Sequence, residues 1–429
     1  MPDIKRMERK YIDKSLKGSN QHTSDWLFYG LLLFFVFEYL RPGSYLPILT
    51  ILKINTVIPI SVFLFSLFSR GGPGTLEIVN AKNTRWLLFF LSLFFLSALT
   101  ADVTFYVYTS FLAIWGYIIA YFFIVKIINI EKRLATLFVL LVSIHIILLV
   151  LNPDVVLHPE SRHYLAGVTF LGDGNDFALS SCIVVPFAIY LFQTTENKLK
   201  KILLFFILGI LIFAIIGTQS RGAFIALSAV FLYFWVKSEK KIQILAVAVV
   251  IAVIVGIFTP TEYFKRIQSI KDYETEGSAQ GRIMAWKSAM RMAVDHPLTG
   301  VGAGHFGVKY GVEYRPPGVG RTDIPWSTAH SIYFLTLGEF GFPGIIFLVG
   351  IILYNIRRSN NTVKMLEKGR SGYTDKSKKL TIAMNCSMVG FAVGSAFLST
   401  LYYPHLYFLV ALFESANRIC SGENARTIK

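Results

Sequence analysis

Residues 198–241 read KLKKILLFFILGILIFAIIGTQSRGAFIALSAVFLYFWVKSEKK. Two apolar runs, 202–217 and 222–236, are separated by a short polar turn and bounded on both outer sides by lysines. Each run approaches the ~20 residues a membrane-crossing helix needs. Lysine-rich flanks mark the cytoplasmic side of such helices. The stretch therefore reads as a hairpin of two spans with its turn outside and Arg221 at the tip. An arginine facing hydrocarbon is costly. Arg221 must either snorkel to the water boundary or face an interior anion. Gly217 and Gly222 beside it allow a tight turn or a close helix approach.

The rest of the chain supports a membrane setting. Of 429 residues, 54% are hydrophobic and only 16% charged, and mean hydropathy is +0.55, too apolar for an ordinary soluble protein of this length. The net charge of +16 is read as basic cytoplasmic loops and not as a nucleic-acid surface. Cys182, Cys386 and Cys420 lack metal-ligand spacing and are expected to be structural. The polar first 25 residues precede a run read as a retained first span, with no cleavable signal peptide.

The predicted fold class is an all-α polytopic integral membrane protein of about 12 transmembrane helices with one large helical periplasmic loop. The expected spans are 26–40, 46–69, 86–101, 105–125, 134–151, 174–193, 202–217, 222–236, 242–259, 329–354, 380–400 and 402–418, the first two open to being one broken element. The chain thus divides into a cytoplasmic tail (1–25), spans one to nine (26–259), the periplasmic loop (260–328), spans ten to twelve (329–418) and a second cytoplasmic tail (419–429). With both termini inside, most of the 42 lysines and arginines fall in cytoplasmic segments, including EKR (131–133), KLKK (198–201) and KSEKK (237–241).

The outer loop is too long to be structureless. In GRIMAWKSAMRMAVDHP (281–297), Ile283, Trp286, Ala289, Met290 and Ala293 recur near helical spacing, with Arg282, Lys287 and Arg291 around them, and Pro297 ends the pattern. An amphipathic helix against the outer face of the bilayer is expected. GVGAGHFG (300–307) lacks the strand that a dinucleotide loop needs and reads as a flexible turn between loop helices. In TAHSIYFLTLGEFGFPG (328–344), His330 opens the tenth span, and Glu339 lies deep enough to need an interior polar partner. The GFPG after it marks a kink. HPESRHY (158–164) and GDGNDFALS (172–180) are further outer features. Asn175 and Asp176 are expected to cap the sixth span, and His158, His163, Asp173 and Asp176 lack strong metal-ligand spacing.

Three separated stretches, GTQSRGAFIAL (217–227), GRIMAWKSAMRMAVDHPLTGVGAGHFG (281–307) and AHSIYFLTLGEFGFPG (329–344), resemble the O-antigen ligase and polymerase superfamily of bacterial envelope glycosyltransferases. The resemblance implies catalytic roles for Arg221, Arg282 and His330. It also implies a polyprenyl-diphosphate-linked glycan as donor, transfer at the periplasmic face of the inner membrane, and neither metal nor cofactor. Arg291, Arg321 and Glu339 complete the expected substrate-contact set.

The residue types suit that chemistry. Guanidinium forks match phosphate oxygens and keep their charge, so they can stabilise a departing diphosphate. A histidine titrates near neutrality and can take the acceptor's hydroxyl proton, and direct displacement inverts the anomeric carbon. The expected acceptor is a lipid A-core saccharide. Polymerisation onto another lipid-linked unit and transfer to protein remain open alternatives, as does a transporter or flippase, which would place its charged residues near the midplane. Membrane lipid is an expected partner and nucleic acid is not.

Overall fold

The computed structural model describes residues 23–69, 71–157, 165, 170–243, 245, 249, 277–315, 327–367 and 375–422. The described residues are helical almost throughout. The principal helices are α1 (Asp25–Leu40), α2 (Ile54–Phe68), α3 (Lys82–Ser97), α4 (Thr104–Ile127), α5 (Glu131–Leu151), α6 (Gly174–Thr194), α7 (Lys198–Gly217) and α8 (Arg221–Lys237). They continue with α9 (Gly277–Asp295), α10 (Ile332–Glu367), α11 (Asp375–Gly394) and α12 (His405–Ser421).

Among the described residues, six helices are long and apolar enough to cross a membrane: Thr104–Ile127, Glu131–Leu151, Gly174–Thr194, Lys198–Gly217, Ile332–Met365 and Asp375–Phe397. The chain is a multi-pass membrane protein. The other expected spans among the described residues are shorter, from 15 residues in α2 to 17 in α8 and α12. At 1.5 Å per residue, 16 residues cover only ~24 Å of a hydrocarbon layer ~30 Å thick. Among the described residues, length and apolarity thus support six crossings, which neither reaches nor rules out the expected count of about twelve. The expected second span, 46–69, is broken around Leu52 and Lys53, where a five-residue helix (Pro47–Ile51) ends before α2. The expected ninth span lies almost wholly outside the described residues.

The expected twelfth span corresponds to α12, which other helices enclose. Nearly every one of its residues is buried by other helices, including Glu414, Ser415 and Asn417. Its apolarity serves helix–helix contact at the centre of the bundle. Glu414 fastens the expected cytoplasmic end by accepting hydrogen bonds from Asn83 Nδ2 (3.0 Å), Arg358 Nη1 (2.5 Å) and Arg418 Nε (2.9 Å). Asn83 and Asn355 exchange a reciprocal pair of amide bonds beside it. Removing one partner from the buried Arg418–Glu414 ion pair costs about 3–5 kcal/mol, and the network as a whole fixes how α3, α10 and α12 meet.

The N-terminal part of α10 is set by a break in its own backbone. Gly341 takes φ 63° and ψ −157°, a region that only glycine occupies readily, and the predicted kink at GFPG is present. Beyond it Phe342, Ile346, Val349 and Leu353 form an exposed apolar stripe at the spacing of one helix face, consistent with lipid contact. Before the kink Phe340 and Leu335 are buried, and Phe340 packs on Phe90 and Phe94 of α3. Glu339 therefore lies within the helix on the buried side, just before the exposed stripe begins.

The helix expected from 281–297 is α9, but its buried face differs. Ala285, Ala289, Met292 and Ala293 are buried while Met290 is exposed, and α9 packs along α10. Small side chains let the two helices approach closely, and Trp286 stacks on Phe334 with centroids 4.9 Å apart. That apolar face meets protein, not bilayer. The glycine stretch that follows is pinned, contrary to the flexible turn expected from composition. Val301 N donates to Gly338 O (2.9 Å), Phe342 N donates to Pro297 O (2.9 Å), and Thr100 Oγ1 donates to Gly300 O (2.8 Å). A side chain at Gly300 (φ 61°) would overlap the Glu339 carbonyl, and one at Gly341 would overlap the Pro297 carbonyl. The two motifs are glycine-rich because their backbones touch.

Candidate active site

Arg221 is the first residue of α8. Ser220 caps that helix, its Oγ accepting from Ala223 N at 3.3 Å, and Gln219 turns the chain with φ 55°. Arg221 itself is half-buried. Gly222 faces Phe397 so closely that an added Cβ would lie 2.9 Å from the Phe397 Cβ. The glycine in SRG is therefore a contact point with the turn after α11. A cation at a helix N-terminus opposes the helix dipole, and an anion bound beside both would be favoured by each.

The same turn reaches the histidine segment. Ser399 Oγ accepts from Thr328 Oγ1 at 2.6 Å, two residues before His330. The next carbonyl, of Ala329, accepts from Trp286 Nε1 at 2.9 Å. Trp286 lies one helical turn beyond Arg282, on nearly the same face of α9. His330 is half-buried and holds φ 47°, a left-handed conformation uncommon outside glycine. Such conformations concentrate where the surrounding structure enforces a functional geometry. The segments carrying Arg221, Arg282 and His330 are thus joined through 395–399 and 327–330 into one rim.

The remaining expected site residues lie elsewhere. Arg291 is nine residues from Arg282, half a turn out of phase on α9, exposed, with its guanidinium 5.7 Å from the Tyr314 ring centroid. Arg321, His158 and His163 lie outside the described residues. Asp173, not Asn175 or Asp176, caps α6, accepting from Asn175 N at 2.8 Å. Asp176 instead accepts from Tyr403 OH at 3.4 Å.

Glu339 is buried, and both its oxygens accept hydrogen bonds, one from Phe306 N (3.1 Å) and one from Tyr402 OH. Tyr402 OH in turn accepts from Gly304 N at 3.1 Å. The carboxylate thereby locks the glycine stretch onto the N-terminal part of α10 and the segment just before α12. It also walls a cavity of about 430 Å³ shared with Ser110, Ser327, Thr328, Ser399 and Tyr402. Tyr402 and Ser399 were not anticipated, because STLYYPH (399–405) reads as the start of an apolar span. Its paired tyrosines and histidine at an outer boundary were the available signal. Nearby, Lys309 bonds Asp102 (2.8 Å) and Glu313 (2.6 Å). Burial alone would lower its pKa, but the two carboxylates raise it above the usual lysine value and keep it charged.

Residues 204–349 match the family model described as O-Antigen ligase, a region that holds Arg221, Arg282, His330 and Glu339 together. Over that stretch the chain is similar to the O-antigen ligase family. It is also 24% identical over 302 residues to the ComP-specific O-oligosaccharyltransferase of Acinetobacter baylyi, an alignment covering 65% of this chain and 54% of that protein. The chain spans about half the length of this curated relative. Within the matched region, 204–349, the rim gives each of the three sequence motifs a physical place. SRG starts a helix against the 395–399 turn, the α9 motif delivers Arg282 and the Trp286 tether, and the AHS motif supplies the left-handed histidine.

Proposed function

We propose that the chain is a glycosyltransferase of the O-antigen ligase type. It moves a glycan from a polyprenyl-diphosphate carrier to a hydroxyl acceptor at the periplasmic face of the bacterial inner membrane. The observation that carries this reading is the rim that gathers the segments bearing Arg221, Arg282 and His330 at one end of the bundle. Arg221 and Arg282 hold the diphosphate, whose charge rises as it departs, and His330 takes the proton of the attacking hydroxyl. The acceptor oxygen forms its bond to the anomeric carbon as the bond to the diphosphate breaks, and the electron pair leaves with the diphosphate. The anomeric configuration inverts. In this reading the arginines supply the positive charge, so no metal is required.

The first acceptor to test is a lipid A-core saccharide. A protein hydroxyl is the second, favoured by the relative whose name specifies an O-oligosaccharyltransferase. Single-turnover transfer from a labelled undecaprenyl-diphosphate glycan, measured beside equilibrium donor binding, tests the mechanism. His330→Ala should cut turnover by ~10²–10⁴-fold while largely retaining donor binding. A normal single-turnover rate would remove the base assignment. In a strain lacking the chain, loss of long glycan from an intact core with lipid-linked polymer accumulating identifies ligation. Accumulation of single units identifies polymerisation, and a deglycosylated protein beside unchanged lipopolysaccharide identifies the protein acceptor.

A further inference from the structure

The cavity beside the rim has a chemistry different from that of the rim itself. Its described lining offers the hydroxyls of Ser110, Ser327, Thr328, Ser399 and Tyr402, and its charged group is the Glu339 carboxylate. No lysine or arginine is among that described lining. Hydroxyls both donate and accept, which matches a polyol. Phe306 and Leu335 add an apolar wall against which the C–H face of a pyranose can lie. Both Glu339 oxygens already accept hydrogen bonds, and the described lining holds no cation to offset the charge of a phosphate placed here. At about 430 Å³ the space falls within the usual size of a small-ligand site.

We infer that this cavity is a subsite for an uncharged sugar ring, separate from the arginines that hold the diphosphate. The inference rests on the proposed transferase reading and assigns the neutral part of a substrate to a named wall of the site. Thr328 lies two residues before His330, so a ring seated here is held beside the reacting centre. The ring belongs either to the acceptor or to the carrier-linked donor, and the two sources share the same chemistry.

Cysteine protection tests this without requiring turnover. The native Cys182, Cys386 and Cys420 are all buried, so Ser399→Cys, with Ser327→Cys as a second reporter, gives a cavity thiol in the full-length chain in nanodiscs. Maleimide labelling should slow about tenfold at a sugar concentration about ten times its dissociation constant. The probes are the methyl glycosides of glucose and N-acetylglucosamine, glucose 6-phosphate, undecaprenyl diphosphate, and undecaprenyl-diphosphate N-acetylglucosamine. Protection by the methyl glycosides supports an acceptor ring. Protection only by the sugar-bearing carrier supports a donor ring. Equal or better protection by glucose 6-phosphate or by the bare carrier, or none by any sugar-bearing probe, overturns the inference. A chain that binds the sugars yet transfers no glycan would instead sink the proposed function and leave the subsite standing.

Discussion

The indole N–H of Trp286 donates to the carbonyl of Ala329 at 2.9 Å, so the loop helix that carries Arg282 is tied to the residue before His330. Neither partner is charged, and neither stands out in the sequence as catalytic. The bond nonetheless restrains the backbone on one side of a residue held at φ 47°.

Trp286→Phe tests that tether. The ring keeps its stacking on Phe334 but leaves the Ala329 carbonyl without this donor, a loss of about 1 kcal/mol. Transfer should fall in kcat more than in donor KM, and hydrogen exchange over 327–331 should speed up. Unchanged kcat with unchanged exchange would show that the tether does not set the position of His330.

Arg221→Lys keeps a positive charge and loses the planar fork. Transfer from a polyprenyl-diphosphate glycan should drop about tenfold or more, equivalent to ~1.4 kcal/mol of transition-state stabilisation, while the protein still inserts and accumulates. Near-normal transfer by the purified variant would favour an arginine that merely snorkels to the interface.

Gly341→Ala should destabilise the end of the bundle where α10 begins. The backbone region alone costs of order 1–3 kcal/mol, and the new Cβ would overlap the Pro297 carbonyl. A lowered midpoint in thermal unfolding, with faster proteolysis near 296–305, is expected. A midpoint equal to the parent's would mean that the two strands of backbone separate easily.

Orientation is checked by placing single cysteines at exposed positions on opposite ends. Val312 lies in the expected outer loop and Glu196 in an expected cytoplasmic turn, both exposed. An impermeant maleimide applied to intact spheroplasts should label Val312→Cys and spare Glu196→Cys. The opposite pattern would invert the topology and move the rim to the cytoplasmic face.

The sequence by itself determined the membrane setting, the hairpin around Arg221, the loop helix α9 and the break after Glu339. These are local properties: apolar length, basic flanks, helical periodicity and glycine beside proline all act within a few residues of chain. It could not separate helices facing lipid from helices facing protein, because both are apolar. Burial by neighbours marks α12 as interior, and the face of α9 pairs with α10. Nor could it show that the glycines near 300 and 341 press against each other, or that Tyr402 and Phe306 share Glu339. Those contacts join residues 33 and 63 positions apart, and only packing decides which backbone amide meets which carboxylate.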